Sequence, residues 1–159
     1  MIKSVLLICT GNSCRSVMAE GLLNRYLKDN NCKETKVVSA GISTLPGMMA
    51  SSNAIEVMRR EGIDISGHRA QPVTKQMINE SDLILGMEPV HIETILGIVP
   101  EAKDKTHLLL EYAYGKEADT RMNFWIVDPI GKPKEVYESV LMTLKDAIER
   151  LEKKICGSQ

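Results

Sequence analysis

The sequence predicts an α/β protein, a single three-layer domain over residues 1–159 in which a parallel sheet carries helices on both faces. Three observations predict it. Short continuous apolar runs of strand length recur along the chain, the mark of strands buried on both faces. Stretches with helical spacing separate them. A Gly-Asn turn also joins the first apolar run to the first helical stretch, and folds of this kind bind ligands beyond the carboxyl ends of their strands.

Residues 3–8 (KSVLLI) make the first strand. From Ser16 the period changes: Ala19, Leu22, Leu23, Tyr26 and Leu27 recur at helical spacing until the polar run 29–31. Residues 36–40 (KVVSA) form a second strand, ended by Gly41. Beyond Pro46 and Gly47, Ser51 or Ser52 caps a helix that carries Ile55, Val57 and Met58 and stops at Gly62. Leu83–Met87 is another strand, followed by a helix near 89–97. Residues 106–110 (THLLL) and 124–127 (FWIV) are further strand candidates, of which only one need join the main sheet. Val136, Val140, Leu144, Ile148, Leu151 and Ile155 draw one apolar stripe along the last helix.

A hydrophobic fraction of 43% and a charged fraction of 26% are those of an ordinary globular domain. The net charge of −1 offers no excess of positive charge to nucleic acid or an anionic membrane. Arg59–Arg60 and Lys153–Lys154 read as solvated helix faces. No apolar run has the length of a membrane span, and the N-terminal segment MIKSVLLIC lacks the small-residue cleavage site of a signal peptide. The four cysteines, Cys9, Cys14, Cys32 and Cys156, do not resemble a disulfide framework in a chain with this much apolar core, so a reducing, cytoplasmic location is expected. Met18, Met48, Met49, Met58, Met77, Met87, Met122 and Met142 are expected to fill the core. His91 and His107 have no partner visible in the sequence.

The chemistry concentrates in CTGNSCRS, residues 9–16. A loop from a strand into a helix N-terminus turns backbone N–H groups toward one concavity, with the helix dipole behind them. Gly11 permits unusual backbone angles, and Asn12 tolerates the left-handed region. Arg15 adds a planar fork matched to two oxygens of a tetrahedral oxyanion. With Thr10, Ser13 and Cys14 completing it, the loop reads as a phosphate-binding cradle without the Lys-Ser/Thr ending of a nucleotide P-loop. Cys9 makes it reactive: the same positive surroundings are expected to lower its pKa, and a thiolate below a bound phosphate ester stands in line for attack. Ser16 is placed to donate to that sulfur, and the amides and guanidinium cover the equatorial oxygens, so neither metal nor other cofactor is required. The leaving group needs a proton. Asp128, at the exit of an apolar run and stiffened by Pro129, is positioned for general acid–base work, although Asp-Pro by itself is commonly only a turn.

CTGNSCRS followed by MAEG, then SAGI, GIDISGHRA, SDLILGM and DPIG, resembles the low-molecular-weight protein tyrosine phosphatase family, including its protein arginine phosphatase branch, in the same order and over nearly the whole chain. The resemblance implies four parallel strands with helices on both sides. It also implies that Cys9 is the nucleophile, Arg15 the phosphate clamp and Asp128 the general acid, with Asn12, Ser16 and His68 holding the loop in shape. It further implies phosphorylated protein substrates and a reversible Cys9–Cys14 disulfide that protects the nucleophile; a passive small residue is the other reading of Cys14.

Two other functions fit parts of the same pattern. The same blocks resemble thioredoxin-coupled arsenate reductases, but those need two more cysteines after the strand matching Leu83–Met87, where this chain reads GMEPVHIETILGIVP. A catalytically idle phosphate-binding module would need neither a nucleophile nor an acid. As for substrate, tyrosine-specific relatives carry a bulky aliphatic residue in place of Ser13 and aromatics after the Asp-Pro, where Ile130 stands here. The arginine branch carries a small β-branched hydroxyl residue at the position of Ser13, and Ser13 is closer to that than to the aliphatic. Phosphotyrosine leads as the commoner family activity, with Tyr112, Tyr114, Phe124 or Trp125 as candidate pocket walls.

Overall fold

The structure, a computed structural model, describes residues 1–119 and 121–157. Its centre is β1 (Ser4–Cys9), whose alternating side chains enter two different cores. Val5, Leu7 and Cys9 face one side; Leu6 and Ile8 face the other, all of them buried. Complete burial of a Leu or Ile side chain is worth about 1.5–3 kcal/mol, so this strand anchors both layers.

β1 is flanked by β2 (Lys36–Gly41) on one side and β3 (Leu83–Gly86) on the other, and β4 (Thr106–Leu108) closes the far edge. All pairings are parallel and the order is β2-β1-β3-β4. The chain therefore reverses its direction of winding between β1 and β3, and the loop after β1 opens into that switch point. Helices α1 (Arg15–Asp29), α2 (Ser52–Arg60), α5 (Leu109–Tyr114) and α6 (Lys134–Cys156) cover one face. Helices α3 (Lys75–Glu80) and α4 (Pro89–Ile98) cover the other. Ser51 caps α2, its Oγ accepting from the Ala54 amide.

The fold agrees with the expected one, with local corrections. Residues 106–108 take the sheet edge, while 109–114 leave it as a helix and 124–127 form no strand. Helix α3, one and a half turns long, lies below the length at which a period can be read. Met18, Met58 and Met87 fill the core, but Met48, Met49 and Met142 are exposed.

The cysteine reading also needs correction: Cys32 and Cys156 form a disulfide, with a Cα–Cα distance of 6.0 Å. Helices α1 and α6 both begin at the loop end of the sheet and run the same way. That brings Cys32, just past α1, to the last turn of α6, a proximity that 124 residues of separation conceal. Among the described residues no helix is long and apolar enough to cross a membrane.

Candidate active site

β1 delivers Cys9 to the carboxyl edge of the sheet, and Thr10–Cys14 turn the chain into α1 at Arg15. The turn is made by Asn12, at φ 54°; Gly11 stays out of the left-handed region, and a Cβ there would meet only Ser13 Oγ at 3.5 Å. Asn12 is fully buried and every polar group of its side chain is used. Its Nδ2 donates to Ser16 Oγ at 2.9 Å and to Ser39 Oγ at 3.0 Å, while Oδ1 accepts from the Gln71 amide at 3.0 Å. His68 Nε2 lies 2.8 Å from the Asn12 carbonyl, where it donates. Ser39 in turn donates to the half-buried Glu20 carboxylate. The end of β2 passes so close that a Cβ on Gly41 would stand 2.5 Å from the Thr10 carbonyl, which leaves only glycine there.

Cys9 Sγ lies at the floor, 2.9 Å from Ser16 Oγ, with the amides of Ser16 and Asn12 turned toward it. Burial pushes the Cys9 thiol up from its ordinary value, against the pull of Ser16, Arg15 and Asn12. This corrects the expected lowering: Cys9 is 2% exposed, and the desolvation of its anion outweighs what the cradle returns.

Arg15 is buried as deeply. Its Nη1 donates to Glu88 Oε2 at 2.6 Å and to the Ile126 carbonyl at 2.8 Å; its Nη2 is 3.5 Å from both Thr10 Oγ1 and Asp128 Oδ2. Asp128 arrives on the loop before α6. Its Oδ1 accepts from the Ile130 amide at 3.1 Å, and its side chain is 40% exposed. Cys9, Thr10, Ser13, Arg15, Asp128 and Ile130 thus meet around one cavity of about 130 Å³, with Gly11 and Cys14 completing its lining.

Cys14, a buried free thiol like Cys9, contacts Ser51 Oγ at 3.2 Å and Tyr137 Oη at 3.6 Å. The candidate pocket walls fall elsewhere. Tyr112 packs on His107, Tyr114 under Arg150, and Phe124 against the core, and Trp125 lines a neighbouring cavity of about 390 Å³ that shares Asp128 with the first.

Sequence reasoning missed Glu88 and His91. His91 Nδ1 accepts from the backbone amides of Met87 at 3.2 Å and Glu88 at 3.0 Å, and Nε2 stands 3.0 Å from Thr10 Oγ1. The signal was present: Glu88-Pro89-x-His91 places polar residues at the N-cap and N3 of a helix with proline at N1. Ser51 and Tyr137, far away in sequence, left no such trace. Among the described residues no group of His, Cys, Asp or Glu is arranged to hold a metal.

The sequence profile of the family described as low molecular weight phosphotyrosine protein phosphatase matches residues 4–158. The chain belongs to this family of enzymes. A protein-arginine-phosphatase of Geobacillus stearothermophilus is 36% identical over 155 residues, 98% of this chain and 97% of that one. The tyrosine phosphatase Wzb of Escherichia coli K30, solved with sulphate, is 36% identical with a TM-score of 0.84 over 97% of this phosphatase and 99% of Wzb. A YwlE arginine phosphatase, a Cys-to-Ser mutant with a phosphorylated active-site serine, superposes with a TM-score of 0.88 at 27% identity, covering 98% of this phosphatase and 97% of that chain.

Proposed function

We propose that this phosphatase hydrolyses phosphorylated protein side chains, phosphotyrosine foremost, through a phosphocysteine at Cys9. The observation that carries this reading is the joint lining of one small cavity by a buried thiol, a buried guanidinium and a half-buried carboxyl. Arg15 and the loop amides seat the phosphoryl group. The Cys9 proton, held on by burial, passes to a phosphoryl oxygen as the dianion arrives, and Sγ attacks phosphorus while the bond to the leaving oxygen breaks. Asp128 gives that oxygen its proton. The resulting carboxylate then takes a proton from water, whose oxygen attacks phosphorus and expels the Cys9 thiolate, stabilised by the Ser16 hydroxyl at 2.9 Å. The relative trapped with a phosphorylated active-site serine supports a covalent step of this kind. Free thiols at Cys9 and Cys14 suit a reducing, cytoplasmic setting, whereas the Cys32–Cys156 disulfide is of the kind that persists in oxidising ones. The test is turnover of p-nitrophenyl phosphate: the wild type should be active, and Cys9→Ser should lose turnover yet still bind inorganic phosphate. More than a few per cent of residual activity would reject the assignment.

Phosphoarginine is the second reading, favoured by Ser13. Its small hydroxyl lines the cavity at a place where an aromatic ring would want an apolar wall. In that case the bond broken is P–N and Asp128 protonates nitrogen. A bulky aliphatic side chain would crowd and desolvate a guanidino group, so Ser13→Ile should shift relative kcat/KM toward phosphotyrosine by roughly 1–3 kcal/mol. An unchanged ratio would place specificity elsewhere, at 42–50 or 110–127.

A further inference from the structure

The hydrogen bonds of His91 assign a role to a second loop residue. Its Nδ1 accepts from two backbone amides and therefore carries no proton, so the proton of the neutral ring is on Nε2 and is donated to Thr10 Oγ1 at 3.0 Å. The ring is fully buried and tightly seated: a Cβ on Gly86 would approach the His91 Cβ to 2.9 Å. The same Thr10 oxygen accepts from Arg15 Nη2 at 3.5 Å, a distance that Asp128 Oδ2 matches. A hydroxyl has two acceptor lone pairs and one proton. With both acceptor directions facing His91 and Arg15, the proton is left for the remaining side, and Thr10 lines the cavity that Cys9 floors.

We propose that the Thr10 hydroxyl is a donor to the bound phosphoryl group, and that His91 is the positioning residue that turns it there. This rests on the phosphatase reading given above and deepens it. A neutral His91 suits the task, because an imidazolium would carry a proton on Nδ1 and collide with the two amides that anchor it. The arrangement also ties the two sides of the switch point together: α4 follows β3, whereas Thr10 follows β1, and the imidazole bridges them.

Side-chain geometry gives the test a direction. Asparagine places an acceptor near the position of Nδ1, so His91→Asn keeps the two amide contacts and loses Thr10. Glutamine places a donor near Nε2, so His91→Gln keeps Thr10 and loses the amides. Kinetics on p-nitrophenyl phosphate should show kcat/KM lowered about 10-fold in His91→Asn with its melting temperature held, and the reverse pattern in His91→Gln. Thr10→Val should fall about as far and weaken calorimetric binding of inorganic phosphate by a similar factor, while Thr10→Ser restores both. Adding His91→Asn to Thr10→Val should change kcat/KM less than about 3-fold further, since the group it positions is already gone. Additive losses, a His91→Gln protein less active than His91→Asn, or a Thr10→Val protein with wild-type turnover and phosphate affinity would each overturn the proposal. Phosphate binding by the Thr10 pair decides it even if a His91 variant does not fold. A wild type that binds phosphate without turnover would instead refute the catalytic reading alone.

Discussion

Arg15→Lys isolates what the planar fork contributes. In the structure the guanidinium makes two short contacts through Nη1, 2.6 Å to Glu88 and 2.8 Å to the Ile126 carbonyl, with Nη2 directed toward Thr10 and Asp128. One ammonium on a shorter stem can keep Glu88 or reach the phosphate, and it cannot reproduce a two-pronged contact. Hydrogen bonds to charged groups are worth about 1.5–3 kcal/mol each, so losing one phosphate contact and leaving the buried Ile126 carbonyl unpaired totals roughly 3–4 kcal/mol. At about 1.4 kcal/mol per decade, kcat/KM should fall roughly 100- to 1,000-fold. The assay is initial-rate kinetics on p-nitrophenyl phosphate with the competitive constant for inorganic phosphate measured alongside; both should worsen. A lysine enzyme within a few-fold of wild type would show that the loop amides alone hold the anion and would remove Arg15 from the clamp.

Asp128→Asn should slow aryl phosphates with basic leaving groups about 10²- to 10⁴-fold and p-nitrophenyl phosphate far less; equal slowing of both would make Asp128 structural. His91, which burial and the Arg15 charge push down to about 4, should make the fold sensitive to acid. Its contribution is complete above the ordinary value of 6.5 and disappears as pH falls from there to about 4, a loss of about 3 kcal/mol that urea titrations should find in the wild type and not in His91→Asn. Cys32→Ser should cost about 2–4 kcal/mol of stability and leave kcat/KM unchanged, since the Cys32–Cys156 bond lies at the ends of α1 and α6 opposite the site; altered catalysis would show that this end communicates with the loop.

What the sequence made legible was chemistry carried by neighbours. Cys9, Asn12, Arg15 and Ser16 sit within eight residues, so a strand-to-helix turn is enough to bring them together, and β1 and α1 formed as their periods required. Asp128 was readable only through resemblance, because nothing local distinguishes it from an ordinary Asp-Pro turn. The parts that escaped depend on packing between distant segments. Cys32 meets Cys156 because two helices share a direction, and Tyr137 meets Cys14 because α6 crosses the loop. The Cys9 pKa failed for a related reason: its stabilising partners are visible in the motif, but the depth at which β1 buries the sulfur is not.

Arg15 and Asp128, the proposed clamp and acid, are tied together by the backbone at Ile126. The loop that carries Asp128 has no strand to hold it, and its backbone is pinned at Ile126: the amide donates to the Met87 carbonyl at 3.0 Å, and the carbonyl accepts from Arg15. Met87 in turn shares its amide between the Ile8 carbonyl of β1 and His91 Nδ1, so the loop that carries Asp128 is hung from the sheet edge next to Cys9. Arg15 therefore has a structural task besides the proposed one of clamping phosphate. One of its nitrogens fixes the peptide two residues before Asp128, while the other stands 3.5 Å from the Asp128 carboxyl. On the proposed assignment, displacing the guanidinium would release the segment that carries Asp128 as well as the group meant to hold the anion. That is why the loss expected for Arg15→Lys includes the Ile126 carbonyl, and why it overlaps with that of Asp128→Asn rather than adding to it.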